Sequence, residues 1–220
     1  MSTCPMTCNP PKGFTLLELL VAMAIFSLLA VMAYGGLMSV LDSRAHTDQA
    51  AERLDEKQLA FAMLDRDLRQ LVDRPRRDAY GDRRPSLMLD DLRSPPRLQL
   101  VSAGARSHGA RSELRRVGYE VDDGVLYRLL WPAIDGGEEE PQTRVAILGN
   151  KSGNEIQTLE FYFYYPGVDG STTRSRAWPA PELDTPEAGL PVAVEIQLET
   201  AHAGEISRVF AVSDTGNQER

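Results

Sequence analysis

The chain has 220 residues, of which 42% are hydrophobic and 25% charged. That balance excludes an intrinsically disordered chain and leaves room for one membrane segment plus one domain of ordinary size. A formal net charge of -8 argues against a general attraction for nucleic acid or anionic lipid. The arginines are interleaved with acids, as in "RDLRQLVDRPRRD", which reads as a solvated mixed-charge surface rather than a basic tract. Both cysteines, Cys4 and Cys8, precede an apolar run, so the folded part beyond them must hold together by packing alone. A CxxxC pair with no histidine nearby reads as an unstructured leader, not a metal site.

The stretch "KGFTLLELLVAMAIFSLLAVMAYGG" follows. Leu19 to Leu41 contains no formal charge. As a helix it is roughly 35 Å long, enough to cross a bilayer core. Lys12 on its N-terminal flank favours a cytoplasmic N-terminus and an exported remainder, although Arg44 on the far side weakens that bias. "AMA" at Ala22–Ala24 resembles a signal-peptide cleavage site, but the apolar run continues to Leu41, too long for an h-region. A plain signal anchor explains the length and the flank. It does not explain Glu18, a carboxylate costing about 2.5–3.5 kcal/mol in the centre of a bilayer.

Glycine, phenylalanine and glutamate at fixed spacing beside a lysine resemble the N-terminus of type IV pilin-like proteins. The resemblance implies cleavage by prepilin peptidase between Gly13 and Phe14, N-methylation of Phe14, and Glu18 as the fifth mature residue. A leader spanning residues 1–13 is long for such proteins, and a start at Met6 would give the more usual "MTCNPPKG". Cleavage would expose a cationic amine on Phe14, four residues from Glu18 and on the same helix side. A carboxylate in the first turn is favoured by the free N–H groups and the dipole. In a bundle of such helices Glu18 could meet a neighbour's amine in a dry setting, and a wrong axial offset would leave it unpaired. On this reading Glu18 is a register mark.

Past Leu41 the chain turns polar but stays helical, with no glycine or proline between Thr47 and Arg74. Leu54, Phe61, Leu64, Leu68, Leu71 and Val72 form an apolar stripe, and Asp65–Arg69 is a favourable i,i+4 pair on the exposed side. Pro75 stops the pattern, so one helix is expected from about Phe14 to about Val72.

The remainder reads as strands. "ELRRVGYEVDDGVLYRLLW" holds two β-rich runs around Asp122-Asp123-Gly124, a hairpin signal. Val117, Tyr119 and Val121 share one face of the first run, and Val125, Tyr127, Leu129 and Trp131 share one face of the second. "TRVAILG" is a shorter candidate, "EIQTLEFYFYY" aligns Leu159, Phe161, Phe163 and Tyr165, and "GEISRVFAV" comes last. In "PVAVEIQLET", Val192, Val194, Ile196 and Leu198 are expected inside, with Glu195, Gln197 and Glu199 outside. Such alternation predicts antiparallel sheets with one face covered by the amphipathic helix. Pro75 to Pro96, "PAIDGGEEEPQ" and "PGVDGSTTRSRAWPAPELDTPEAGLP" are expected as loops, with Trp178 capping a core edge, and the tail "SDTGNQER" as frayed.

Segments in this order, from "LDRDLRQLVDRPRRD" through "LEFYFYY" and Trp178 to "GEISRVFAV", resemble the minor pseudopilin J family of type II secretion systems over nearly the whole mature chain. The resemblance implies an α+β, pilin-like fold: a long N-terminal helix, transmembrane then amphipathic, packed on antiparallel β-sheets. It divides the chain into a leader (1–13), a transmembrane half-helix (14–41) and a periplasmic domain (42–220). It implies a pseudopilus tip with minor pseudopilins I and K, contacts with pseudopilin H and the major pseudopilin G, and dependence on prepilin peptidase and an inner-membrane assembly platform. A minor pilin of a type IV pilus or competence system is the alternative. His46, His108 and His202 have no metal-ligand spacing, and no nucleotide-binding or hydrolase motif occurs. Asp90-Asp91, Asp122-Asp123 and Glu138–Glu140 read as solvated turn acids. The expectation is therefore a structural protein with no catalytic residues, metal or cofactor.

Overall fold

The computed structural model describes residues 13–106, 112–136, 140–150, 153–167, 169–183 and 189–212. Cys4, Cys8, Lys12, His108, Glu138, Glu139 and the tail from 213 lie outside them. Two compact units are present, Met1–Ala50 and Ala51–Arg220.

Helix α1 runs Leu16–Arg69. Thr15 caps it: its Oγ1 accepts the Glu18 N–H at 3.3 Å. Glu18 in the first turn and Arg66 and Arg69 in the last complement the helix dipole. Asp65 and Arg69 pair at 2.7 Å on the exposed side, as the spacing predicts. The helix stops before Val72 and before Pro75 exerts any effect. Leu71 bridges to Ser102, Val72 N–H donates to Val101 O at 2.9 Å, and Gln70 O accepts from Ala103 N–H at 2.8 Å. A strand edge thus takes over the backbone groups that the next helical turn would have used.

That strand is β4, Arg97–Arg106, which the sequence reading passed over. The stretch expected to be a loop, Pro75 to Pro96, also contains β1 (Arg76–Arg77), β2 (Arg83–Arg84) and β3 (Leu87–Asp90). With β5 (Ser112–Asp122), β6 (Val125–Leu130) and β7 (Thr143–Leu148), strands β3 and β4 make an antiparallel sheet ordered β3-β4-β5-β6-β7. The β5–β6 turn is the expected one. Asp122 pairs with Val125, and Asp123 and Gly124 both have positive φ, the two-residue turn that suits the twist of a hairpin. A second antiparallel sheet, ordered β11-β10-β8-β9, contains β8 (Ile156–Pro166), β9 (Thr172–Ser175), β10 (Ala193–Thr200) and β11 (Gly204–Ala211).

One core joins the C-terminal part of α1 to both sheets. Phe61, Leu64 and Leu68 meet Leu98, Val117, Tyr119 and Leu126 of the first sheet and Phe163, Val194 and Ile196 of the second. Each such side chain stabilises the fold by about 1.5–3 kcal/mol. Trp178 closes the core as expected. It is 1% exposed, its ring centroid lies 5.7 Å from that of Phe163 and 5.8 Å from that of Tyr165, and its carbonyl accepts from Leu89 N–H at 2.9 Å.

Three expectations about burial need correction. Leu54 is 54% exposed, because the stripe meets the sheets only from Ala60 onward. Val192 is 55% exposed, because it precedes β10. Glu195, expected outside, is buried under Tyr164 and Arg174. Val125, Tyr127, Leu129 and Trp131 share a face, as expected, and it is the one turned away from the core cluster. Their neighbours Leu126 and Leu130 meet the core cluster instead. On that outer face the Arg116 guanidinium lies 4.2 Å from the Trp131 ring, Arg97 pairs with Glu120 at 2.8 Å, and Arg76 and Arg116 both donate to Gln99 Oε1 at 2.8 Å. These arginines are buried, so the interleaved charges are only in part a solvated surface.

Candidate assembly site

The residues singled out at the N-terminus stand at the very start of α1. Phe14 is 84% exposed and precedes the cap, and Glu18 occupies the first turn. The following apolar side chains, from Leu16 to Leu41, are exposed and have no partner element within their unit. α1 therefore contains a segment long and apolar enough to cross a membrane. Capping by Thr15 orders the first turn, so the Glu18 carboxylate is presented on a helix rather than on a frayed end.

Within the folded unit, polar clasps fix the helix to its sheets. Asp67 is buried on the stripe between Leu64 and Leu68. Its Oδ2 accepts from the Tyr119 hydroxyl at 2.5 Å and from Arg128 Nε at 2.7 Å, and its Oδ1 accepts from Arg128 Nη2 at 3.1 Å. Burial and the adjacent carboxylate push the Tyr119 hydroxyl far up. Burial pulls Arg128 down, but its bonds to Asp67 outweigh this and the net shift is upward. One helix carboxylate is thus tied to two strands. Sequence reasoning missed it, although an acid set in an apolar stripe was the available signal.

A second clasp lies nearer the start of the unit. Glu56 accepts from Asn150 N–H at 3.0 Å and from Asn154 Nδ2 at 2.6 Å, and Asn154 also donates to Arg53 O at 2.9 Å. On the outer face of the second sheet, Glu195 accepts from Tyr164 at 2.6 Å, Ser207 at 2.7 Å and Gln197 at 2.7 Å, and pairs with Arg174 at 3.0 Å. The Tyr164 bond is the main reason its carboxyl is held down at about 2, against the opposing effect of burial. His46 and His202 are exposed, and the described residues contain no group of three His, Cys, Asp or Glu side chains able to hold a metal ion. Of the acids expected in turns, Asp122 pairs with Arg144 at 2.6 Å and Glu140 with Arg93 at 2.7 Å.

The folded unit thus holds a helix packed against two antiparallel sheets and tied down by the Asp67 and Glu56 clasps. Comparison with known families decides between the candidates. The model for protein J of the type II secretion system matches residues 35–212, and the prokaryotic N-terminal methylation motif matches residues 9–34.

The chain belongs to the type II secretion protein J family.

Its sequence is 34% identical to type II secretion system protein J of Escherichia coli over 207 residues, covering 90% of this chain and 94% of the relative. It is 30% identical to protein J of Vibrio cholerae serotype O1 over 205 residues, covering 90% and 86%. A chain in the crystal structure of the GspK-GspI-GspJ complex from enterotoxigenic Escherichia coli superposes with a TM-score of 0.57 at 26% identity, covering 73% of this chain and 97% of that one. The α+β pilin-like fold and the assignment as a secretion minor pseudopilin thus stand, and the matches lend no support to the type IV pilus alternative. The family is a structural one. For protein J the exposed apolar half of α1 fits a membrane anchor.

Proposed function

We propose that this chain is cut by prepilin peptidase between Gly13 and Phe14, that Phe14 is N-methylated, and that residues 14–41 then hold it in the inner membrane as a single pass. The N-terminus faces the cytoplasm and residues 42–220 form the periplasmic domain. The mature chain joins minor pseudopilins I and K in a tip complex, above pseudopilin H and the major pseudopilin G. From there the inner-membrane platform extends a short filament that exports folded proteins. The chain's own part is mechanical. It contributes a helix for the bundle, a carboxylate for register and a domain for partner contacts.

The observation that carries this reading is the Gly13-Phe14 pair with Glu18 four residues on, at the head of a capped helix with an uncovered apolar half, in a protein J chain. Membership of the partners in the GspK-GspI-GspJ complex supports the choice of I and K. Mass spectrometry of the membrane fraction tests the processing: an N-methyl-Phe14 terminus is expected. A terminus retaining residues 1–13 in a strain with active prepilin peptidase would overturn it. Glu18→Ala and Glu18→Gln test the register. Both variants are expected to be processed normally yet to co-purify poorly with I and K, and unchanged co-purification removes the role given to Glu18.

A further inference from the structure

The outer strands of the two larger sheets differ in how they are guarded. On β3 the Leu89 N–H, which points away from β4, already donates to the Trp178 carbonyl at 2.9 Å. The ladder between β6 and β7 shifts register at Leu126 and Tyr127, and β9 has only 4 residues. β11 has 8 residues, no proline and no lysine, and pairs with β10 in one unbroken register. A long, regular, unguarded edge is a template for another strand.

The ladder fixes where its backbone groups point. Val212 N–H donates to Val192 O at 3.0 Å, so Phe210–Val194, Arg208–Ile196 and Ile206–Leu198, every second pair along the strand, exchange bonds with β10. The N–H and C=O groups of Glu205, Ser207, Val209 and Ala211 therefore face away from the sheet, along roughly 20 Å. All four residues are exposed, and none has a backbone partner on that side among the described residues. Arg208 lies 4.6 Å from the Phe61 ring on the helix side, and Glu205 is on the opposite face. Both are exposed, and neither makes an ion pair with the described residues.

We propose that a strand of a different pseudopilin joins the four-stranded sheet along β11, with an acidic side chain beside Arg208. The proposal rests on the pseudopilin reading and names one contact surface for it. A second copy of this chain fits poorly. Antiparallel pairing of the two outward-facing rows sets Arg208 opposite Ile206, Gly204 or another Arg208, never opposite Glu205, so the charges find no complement. An exported protein would cover the edge only in passing, and a bare edge pairs with whatever strand it meets. A standing neighbour in the assembly keeps it covered. β10 already holds β11 extended, so little is spent ordering it on contact.

The test uses the full chain in membranes with its co-expressed pseudopilins. A photo-cross-linking amino acid is placed at Glu205 and, separately, at Leu29 in the apolar half-helix. Both positions are expected to capture a different pseudopilin. Val209→Pro removes an outward N–H and no bond to β10, a place where an edge strand tolerates proline. It should lower capture from Glu205 by about tenfold or more and leave capture from Leu29 in place. Val209→Ala, which keeps the N–H, should retain most of the signal. Residue-resolved hydrogen exchange on the parent chain needs no variant: the amides of Glu205, Ser207, Val209 and Ala211 should slow at least tenfold when the other pseudopilins are present, whereas those of Ile206, Arg208 and Phe210 are slow in either case. Capture from Leu29 alone, capture from Glu205 that ignores Val209→Pro, unchanged exchange at the four amides, or capture of a second copy or an exported protein at Glu205 would overturn the strand addition and leave the pseudopilin reading intact. Capture from neither position would count against both.

Discussion

The Asp67 clasp is the sharpest place to perturb the fold. Asp67→Ala removes a buried carboxylate that holds the Tyr119 hydroxyl and two nitrogens of Arg128. Breaking a buried pair by deleting one partner costs about 3–5 kcal/mol. The lower end is expected here, because the Arg128 side chain is 20% exposed and can turn toward water. Tyr119→Phe leaves the ion pair standing and removes one bond to a charged acceptor, about 1.5–3 kcal/mol. In the double variant the Tyr119 hydroxyl is no longer left unpaired, so the second change should cost less than about 1 kcal/mol. Urea denaturation of residues 42–220 followed by circular dichroism measures all three. A loss of about 3 kcal/mol moves the midpoint by more than about 1 M. Costs that add within about 0.5 kcal/mol would show that the two side chains act independently, and the clasp would not be a unit.

Three further outcomes follow from the geometry. Glu195 has its folded pKa lowered from 4.5 to about 2, so its contribution is present above 4.5 and is lost as pH falls toward 2. Glu195→Gln should cost about 2 kcal/mol at pH 7, and its urea midpoint should converge with that of the parent as acid is added across that window. Trp178→Ala empties a fully buried site between Phe163 and Tyr165 and should cost about 3–5 kcal/mol by thermal denaturation, with Trp178→Phe milder. Gly118→Ala would place a Cβ 2.9 Å from the Trp131 ring and should destabilise by about 1–3 kcal/mol, with a changed tryptophan fluorescence spectrum as a second readout.

Features that depend on residues close in sequence were legible from spacing. The apolar run, the helix reaching to within a turn of Val72 and the Asp123-Gly124 hairpin all rest on residues a few positions apart. The alternation of "EIQTLEFYFYY" likewise placed Phe161, Phe163 and Tyr165 inward, because successive strand side chains point to opposite faces. What spacing could not decide was which face of a strand meets the core, and which polar groups are buried. Leu126 and Leu130, not Leu129 and Trp131, face the core because Tyr119 pairs with Arg128 across β5 and β6, and Arg128 is drawn inward by Asp67. β4 escaped notice because its stability comes from neighbours on both sides, β3 and β5, brought there by turns elsewhere in the chain.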